Sequence, residues 1–266
     1  MLYFVSTPIG NLKDVTYRAI EVLNMVDEIG CEDTRHSLTF LNHYNIKKPL
    51  FSYHKFNERE ATDKVVQKLK EGKNIAIISD AGMPVISDPG NILSKMLVEE
   101  GLEFTVIPGA NAALSALVLS GMDASKFCFV GFLPEKKTDR EELLEKFKSV
   151  LATLIFYSAP HDVKKDIETL YSVLGDRKAV AVKEITKLYE NAERFNLKDG
   201  LSKEPKGEYV LVVEGAIEGF ENAHLTNEEL IDKYILEGLS KKEAVKKVAK
   251  ERDIPKSELY KYTIGK

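Results

Sequence analysis

Short apolar runs alternate with segments whose apolar residues recur at helical spacing almost from the first residue. That rhythm predicts parallel sheets assembled from strand–helix–strand units. Leu2 to Ser6 reads as a strand, Thr16 to Asp27 as a helix with Tyr17, Ile20, Leu23 and Val26 on roughly one side, and Glu28 to Cys31 as a short strand. A helical "SLTFLNHY" leads to the strand "PLFS", the amphipathic helix Glu58 to Glu71 and the strand Asn74 to Ser79. A helix from Asn91 to Glu100, the strand "EFTVI" and the small-residue helix in "ANAALSALVLSG" follow. A helix so rich in Ala and Ser can lie close to a sheet or a ligand.

The texture changes near Gly121, which places a domain boundary at about residue 120 and an N-terminal α/β domain over 1–120. Beyond it come the strand Phe127 to Val130, a helix from Asp139 to Val150, the strand "TLIFYS", a helix from His161 to Leu174 and the strand "AVAVKE". "YENAERFN" and "GEYVLVVEG" add two strands close together in sequence, so the sheet of this second α/β domain, 121–222, is expected to be mixed. The remainder, 223–266, reads as a helical appendage in which Thr226 and Ser240 are N-caps with Glu close behind. Its last two helices, separated by "RDIPKS", have the outline of a helix-turn-helix.

Composition narrows the class. The apolar fraction of 44% and charged fraction of 30% belong to a globular chain, and no apolar run is long enough to span a bilayer. The start "MLYFVSTPIG" lacks the basic residues and cleavage site of a signal peptide, and Cys31 and Cys128 form no disulfide framework, so a cytoplasmic location is expected. The net charge of −4 is unevenly spread: Lys241 to Lys266 holds eight Lys and one Arg against three Glu and one Asp, a balance of +5. The appendage is therefore the place for a polyanion to touch, unless the lysines are only a solvated helical face.

Four loops at the carboxyl ends of predicted strands are rich in Gly, Pro and small polar residues: "STPIGNLKD", "SDAGMPVISDPG", "PGANAALSA" and "YSAPH". Ligands bind at such ends in open α/β sheets, although each loop alone could be an ordinary turn. No P-loop lysine or GxGxxG spacing is present, and Asp80 stands where a pyrophosphate would be repelled. The ligand should carry hydroxyls, an amine or a positive charge, and S-adenosylmethionine has all three kinds of group.

"CEDTRHS" packs acid, hydroxyl, base and imidazole after a short strand. Glu32 or Asp33 could act as a base there and Arg35 could hold a phosphate, or the motif could be a capped helix start with solvated charges. Asp33 and His36 lack the further ligands of a metal site, and none is expected. In "VKEITKLYE", alternation sends Lys183 and Lys187 to one face and Glu184 to the other while the segment stays extended.

These blocks, with "SYHKFNE", "FVGFLP" and the tail "LSKKEAVKKVAKE", occur in the order that resembles the ribosomal RNA small-subunit methyltransferase I family of the tetrapyrrole methylase superfamily. The resemblance implies two α/β domains with S-adenosylmethionine in the cleft between them, and a homodimer. It also implies methyl transfer to the ribose 2′-hydroxyl of a cytidine in the decoding region of 16S rRNA within the small ribosomal subunit. Carried over by motif, the cofactor contacts are Pro8, Asp80, Ala81, Gly82, Val85, Asn111, Ala112, Ser158 and Ile185. Asn11, Arg35 and Lys183 face the substrate, and the proton-handling candidates, in order, are Asp33, Glu32, Glu184 and Lys187. The chain departs from the family pattern at Met83, Asn111 and Ser158, where Thr, Ser and Glu are usual. Two rival readings share these features: a small-molecule methyltransferase acting on a tetrapyrrole of the precorrin type, and a non-catalytic ribosome-binding factor.

Overall fold

The short apolar runs sort into two sheets in the computed structural model, which describes residues 1–217, 225–252 and 254–259. The first contains β1 (Leu2–Val5), β2 (Glu28–Cys31), β3 (Leu50–Ser52), β4 (Ile75–Ile78) and β5 (Phe104–Ile107) in the order β3-β2-β4-β1-β5. All its pairings are parallel. The sequence "IAII" of β4 is buried at every position, as a central strand covered on both faces must be.

Alternation along β1 sends Val5 to one face and Leu2 and Phe4 to the other. Helices α1 (Tyr17–Met25) and α2 (Thr34–His43) cover the first face with Ala19, Val22, Leu23, Phe40 and Leu41. Helices α3 (Glu58–Lys70) and α4 (Asn91–Glu99) cover the second with Ala61, Val65, Leu69, Leu93 and Leu97. Helix α2 begins earlier than the apolar pattern predicts because the Asp33 carboxylate accepts from the N–H groups of Arg35 (2.8 Å) and His36 (3.4 Å).

The second sheet is mixed, as its closely spaced strands predict. It contains β6 (Phe127–Phe132), β7 (Thr153–Ser158), β8 (Lys178–Lys183), β9 (Asn191–Asn196) and β10 (Tyr209–Val213) in the order β6-β7-β10-β8-β9. Only β6 and β7 run parallel. One face is covered by α6 (Lys137–Glu145) and α7 (Val163–Leu174). Helix α6 stops short of the predicted Val150, because bonds from Phe147 to Leu144 and from Val150 to Phe147 turn the chain more tightly there.

The other face is covered by α5 (Ala112–Ser120), which follows β5 of the first sheet yet buries Ala113, Ala116 and Leu117 against Ile155, Val180 and Val212 of the second. Its small side chains allow that close approach. Gly121, in the left-handed conformation (φ 68°), ends α5.

Helices α8 (Asn227–Leu236), α9 (Lys241–Glu251) and α10 (Lys256–Leu259) have a core of their own around Leu230, Tyr234, Val245 and Val248. Thr226 with Glu229 and Ser240 with Glu243 form the two capping boxes that the sequence predicts. Residues 218–224, Asp253 and 260–266, which include parts of the expected appendage and helix-turn-helix, lie outside the described residues. Among the described residues no helix is long and apolar enough to cross a membrane.

Candidate functional site

Strands β4, β1 and β5 are neighbours, so the loops that leave their carboxyl ends must meet. Thr7 and Gly82 exchange both backbone bonds (2.9 and 3.1 Å), and the Thr7 hydroxyl donates to the Ser79 carbonyl at 3.1 Å. Gly109 passes so near the first loop that a β-carbon on it would stand 2.8 Å from that of Ser6. The loop after β4 is the most constrained of the three: Gly82, Val85, Ser87 and Gly90 all have positive φ. Its return into α4 is fixed by Glu58, whose carboxylate accepts from the N–H groups of Gly90 (2.8 Å) and Ile92 (3.1 Å).

Above these loops lies a cavity of about 350 Å³ between the two sheets. The first sheet contributes Ile9, Asp80, Ala81, Gly82, Asp88, Asn111 and Ala112 to its lining. The second contributes Tyr157, Ser158, Val182, Glu184, Ile185 and Lys187, with Glu208 and Val210. A second cavity, of about 390 Å³, opens between the first loop and α2 and is lined by Thr7, Pro8, Asn11, His36, Ser37 and Phe40. Both cavities share Ile9, Asp80, Ala81, Lys187 and Glu208 as their common wall. Gly10 makes room for that wall, since a β-carbon there would sit 2.6 Å from the Lys187 Cγ.

The predicted residues divide accordingly. Asp80, Ala81, Gly82, Asn111, Ala112, Ser158, Ile185, Glu184 and Lys187 line the first cavity, and Pro8 and Asn11 line only the second. Val85, Glu32, Asp33, Arg35 and Lys183 line neither. Val85 packs on the core shared by β1, β4, α3 and α4, where it shapes the loop from beneath. Arg35 is 90% exposed at the side chain and reaches only Asp33, at 3.5 Å.

Asp33 caps α2, and its own N–H donates to Asp80 Oδ1 at 3.2 Å. The N–H of Arg35 holds the Asp33 carboxyl below its usual range, which makes it a poor base. Burial, and then the charge of Asp80, pushes the Glu32 carboxyl up.

The expected alternation through "KEITK" does not hold. The chain leaves β8 after Lys183 and turns, with Glu184 at φ 50° and Thr186 at φ 68°. Glu184 and Lys187 therefore meet at 3.3 Å, and Lys187 also binds Glu208 at 2.8 Å. The N–H of Glu208 and the Lys187 ammonium hold Glu184 low. Burial works against the Lys187 ammonium, but Glu208 and then Glu184 outweigh it and push its pKa up, so the amine is protonated at neutral pH.

Glu208, Tyr157 and Asp88 are among the lining residues that the motif reading leaves out. Glu208 reaches the wall through the pairing of β10 with β8, and Tyr157 through its place near the end of β7. Asp88 was legible as the second acid of "SDAGMPVISDPG". Burial pushes its carboxyl up to about 7, with Glu32 and Asp80 adding and the Ser79 hydroxyl opposing.

The first cavity suits S-adenosylmethionine by the chemistry of its groups. Asp80 and Asp88 can accept from an ammonium or from hydroxyls, and Ile9, Val182, Ile185 and Val210 offer an apolar slot for a base. Its one cation, Lys187, is committed to two carboxylates, which leaves no cradle for a phosphate chain. Among the described residues no cluster of potential ligands could hold a metal ion.

Comparison with known proteins agrees with this geometry. Residues 1–199 match the family model for tetrapyrrole (corrin/porphyrin) methylases. The chain is 43% identical to the ribosomal RNA small subunit methyltransferase I of Halalkalibacterium halodurans, over 97% of this chain and 93% of that one. It is also 43% identical to the protein of that name from Bacillus subtilis, over 98% and 92%. Among solved structures, diphthine synthase superposes with a TM-score of 0.65 at 16% identity, covering 80% of this chain and 89% of that one. Uroporphyrin-III-C-methyltransferase from Thermus thermophilus gives 0.57 at 18%, covering 83% and 97%. These two likenesses concern the fold.

The raised Asp88 carboxyl has a consequence for stability. Its folded pKa of about 7 lies above an unfolded value of about 3.9, so the folded state favours the protonated form. The stability this provides is complete below the unfolded value and is lost as pH rises through about 7. Asp88→Asn should therefore raise the melting temperature at pH 8 by about 2–4 °C, the effect of roughly 1 kcal/mol once solvent screening is allowed for. Thermal melts from pH 4 to pH 8 should show the gain shrinking toward the acid end, and a gain independent of pH would contradict the burial account.

Proposed function

Because the chain belongs to the ribosomal RNA small subunit methyltransferase I family of the tetrapyrrole methylases, we propose that it methylates the ribose 2′-hydroxyl of a cytidine in the decoding region of 16S rRNA. It is an S-adenosylmethionine-dependent methyltransferase. The observation that carries the finer reading is the pair of cavities with a common wall at Asp80, Ala81 and Lys187. The first has the chemistry for the cofactor, and the second takes the acceptor nucleotide beside it.

Bound in the first cavity, S-adenosylmethionine supplies an electrophilic methyl carbon and a neutral thioether as leaving group. The chain's own task is mainly alignment. The cavity walls hold the two reactants in adjoining sites, and such orientation can lower a barrier by about 7–11 kcal/mol. The Lys187 ammonium at the common wall is neutralised by Glu184 and Glu208, and being protonated it cannot take a proton. Asp80 and Glu208 are the carboxylates that line both cavities, and with Glu208 bound to the Lys187 ammonium, Asp80 is the one placed to accept the hydroxyl proton. Asn11 and His36 line the acceptor side.

The small ribosomal subunit places this work in the cytoplasm. Lysines 241, 242, 246, 247 and 250 on the exposed side of α9 supply phosphate contacts. A second copy of the chain covers the apolar surface formed by Leu114, Val118 and Leu119 of α5 and by Phe104 and Val106 of the edge strand β5, making a homodimer.

Three measurements test this reading. Small subunits from cells lacking the protein should accept labelled methyl from S-adenosylmethionine at one cytidine ribose, and Asp80→Asn should lower the rate by about 10²–10⁴-fold; an unmodified cytidine would overturn the assignment. Removal of residues 225–266 should flatten the dependence of RNA binding on salt concentration, because each neutralised phosphate contributes to that slope; an unchanged slope would exclude the tail. Sedimentation should give twice the 29.9 kDa mass of the chain, and Val118→Glu should halve it.

A further inference from the structure

The connection between β8 and β9 is longer and more constrained than a hairpin requires. An antiparallel pair closes with about two to five residues, whereas this connection runs through the seven residues 184–190. Glu184 and Thr186 take positive φ (50° and 68°), a region that residues with side chains rarely enter. The turn is held in that shape at both ends. The Glu184 carboxylate accepts from the N–H of Glu208 (2.8 Å) and from the Lys187 ammonium (3.3 Å), in space that Gly207 leaves free. The Glu190 carboxylate accepts from the Thr186 N–H at 2.7 Å, and backbone bonds join Lys187 to Glu184 and Glu190 to Lys187.

So firm a turn presents two side chains that the fold itself does not use. Leu188 is 87% exposed and Tyr189 73%. Neither packs on a hydrophobic core among the described residues. Strained backbone that several bonds hold in place belongs to sites where the conformation is used, and here its product is an apolar tip in solvent.

The position of the turn identifies what covers that tip. Lys187, the residue before Leu188, lines both cavities, and Gly10 of the first loop packs against Lys187 and Thr186. Leu188 and Tyr189 line neither cavity, so they stand one and two residues beyond the wall of the acceptor cavity. A cavity of about 390 Å³ takes a group of small-molecule size. The strand on either side of an acceptor nucleotide must therefore cross the rim. Unpaired RNA bases stack on exposed aromatic rings with little regard to sequence. The charge of Lys187 is already spent on Glu184 and Glu208, so the turn suits the flat face of a base and not a phosphate. We propose that Tyr189, with Leu188 as its apolar neighbour in the turn, is the stacking platform for a base next to the methylated cytidine. The proposal rests on the acceptor reading given above.

Methylation kinetics with small subunits from cells lacking the protein test it. Tyr189→Ala should raise the KM for the subunit about ten-fold, the loss expected for one base–aromatic stack. Its kcat, its calorimetric affinity for S-adenosylhomocysteine and its melting temperature should stay at the native values. Tyr189→Trp keeps an aromatic face and should bring KM back to within about two-fold of native. The native chain has no tryptophan, so this variant also carries a single fluorescent reporter at the tip. A single-stranded oligoribonucleotide with the acceptor sequence should quench it.

An unchanged KM in Tyr189→Ala overturns the proposal. A loss shared with cofactor affinity or melting temperature overturns it too, because it marks a structural role. A raised KM without quenching by the oligoribonucleotide assigns the tip to a ribosomal protein, and a halved sedimentation mass in Tyr189→Ala assigns it to a second copy of the chain; either result overturns the stacking. A native protein that transfers no methyl to the subunits would instead overturn the acceptor reading itself.

Discussion

The two backbone bonds between Thr7 and Gly82 are the constraint on which the site depends. They join the loop after β1 to the loop after β4 just beyond the point where the parallel ladder ends, and so fix the floor of both cavities at once. Ile9 and Ala81 stand beside this bridge and belong to both linings. The backbone path of the floor is thus set by hydrogen bonds that do not depend on side-chain identity. A ligand that approaches it meets carbonyl and amide groups already held in place, which limits the ordering cost of binding.

Electrostatics then divides the labour between the halves. Glu32, Asp80 and Asp88 crowd negative charge at the first sheet, near enough that burial and mutual repulsion push Asp88 up to about 7. The second sheet offers one cation to the cavities, and Glu184 and Glu208 neutralise it. Such a cleft repels a nucleoside phosphate and attracts an ammonium or a sulfonium. The basic exposed side of α9 has the opposite character, so small cationic and large polyanionic partners are drawn to different parts of the chain.

Much of this was legible in the sequence, for identifiable reasons. Gly and Pro cluster where parallel strands end, which marks the loops holding Pro8, Asp80 to Gly82 and Asn111, and these loops line the two cavities. The capping boxes at Thr226 and Ser240 are local signals and could be read in full. What depended on register or on unusual dihedrals could not. Glu208 joins the wall only because β10 lies beside β8, and no pattern around it announces that pairing. Alternation misplaced Lys187 relative to Glu184 because Glu184 and Thr186 take positive φ, a rare choice for residues with side chains. Asp33 looked chemical because it stands among charged neighbours, yet a cap and a catalytic acid use the same residue type at the same helix end.

The loop from Ser79 to Gly90 shows how the fold accommodates an unfavourable local conformation. Val85 at φ 76° and Ser87 at φ 67° each cost on the order of 1–3 kcal/mol, and a β-branched residue is among the worst suited to that region. The strain persists because both ends of the loop are held from outside it. Thr7 secures the start, Glu58 secures the return through two hydrogen bonds, and the absence of a side chain at Gly90 leaves the space that Val85 fills. Relaxing Val85 toward an ordinary conformation would withdraw its side chain from the core beneath and swing Ile86 to Asp88 out of the cavity lining. The strained dihedral and the position of Asp88 are thus one feature: the backbone that is hardest to form is the one that carries an acid into the cleft.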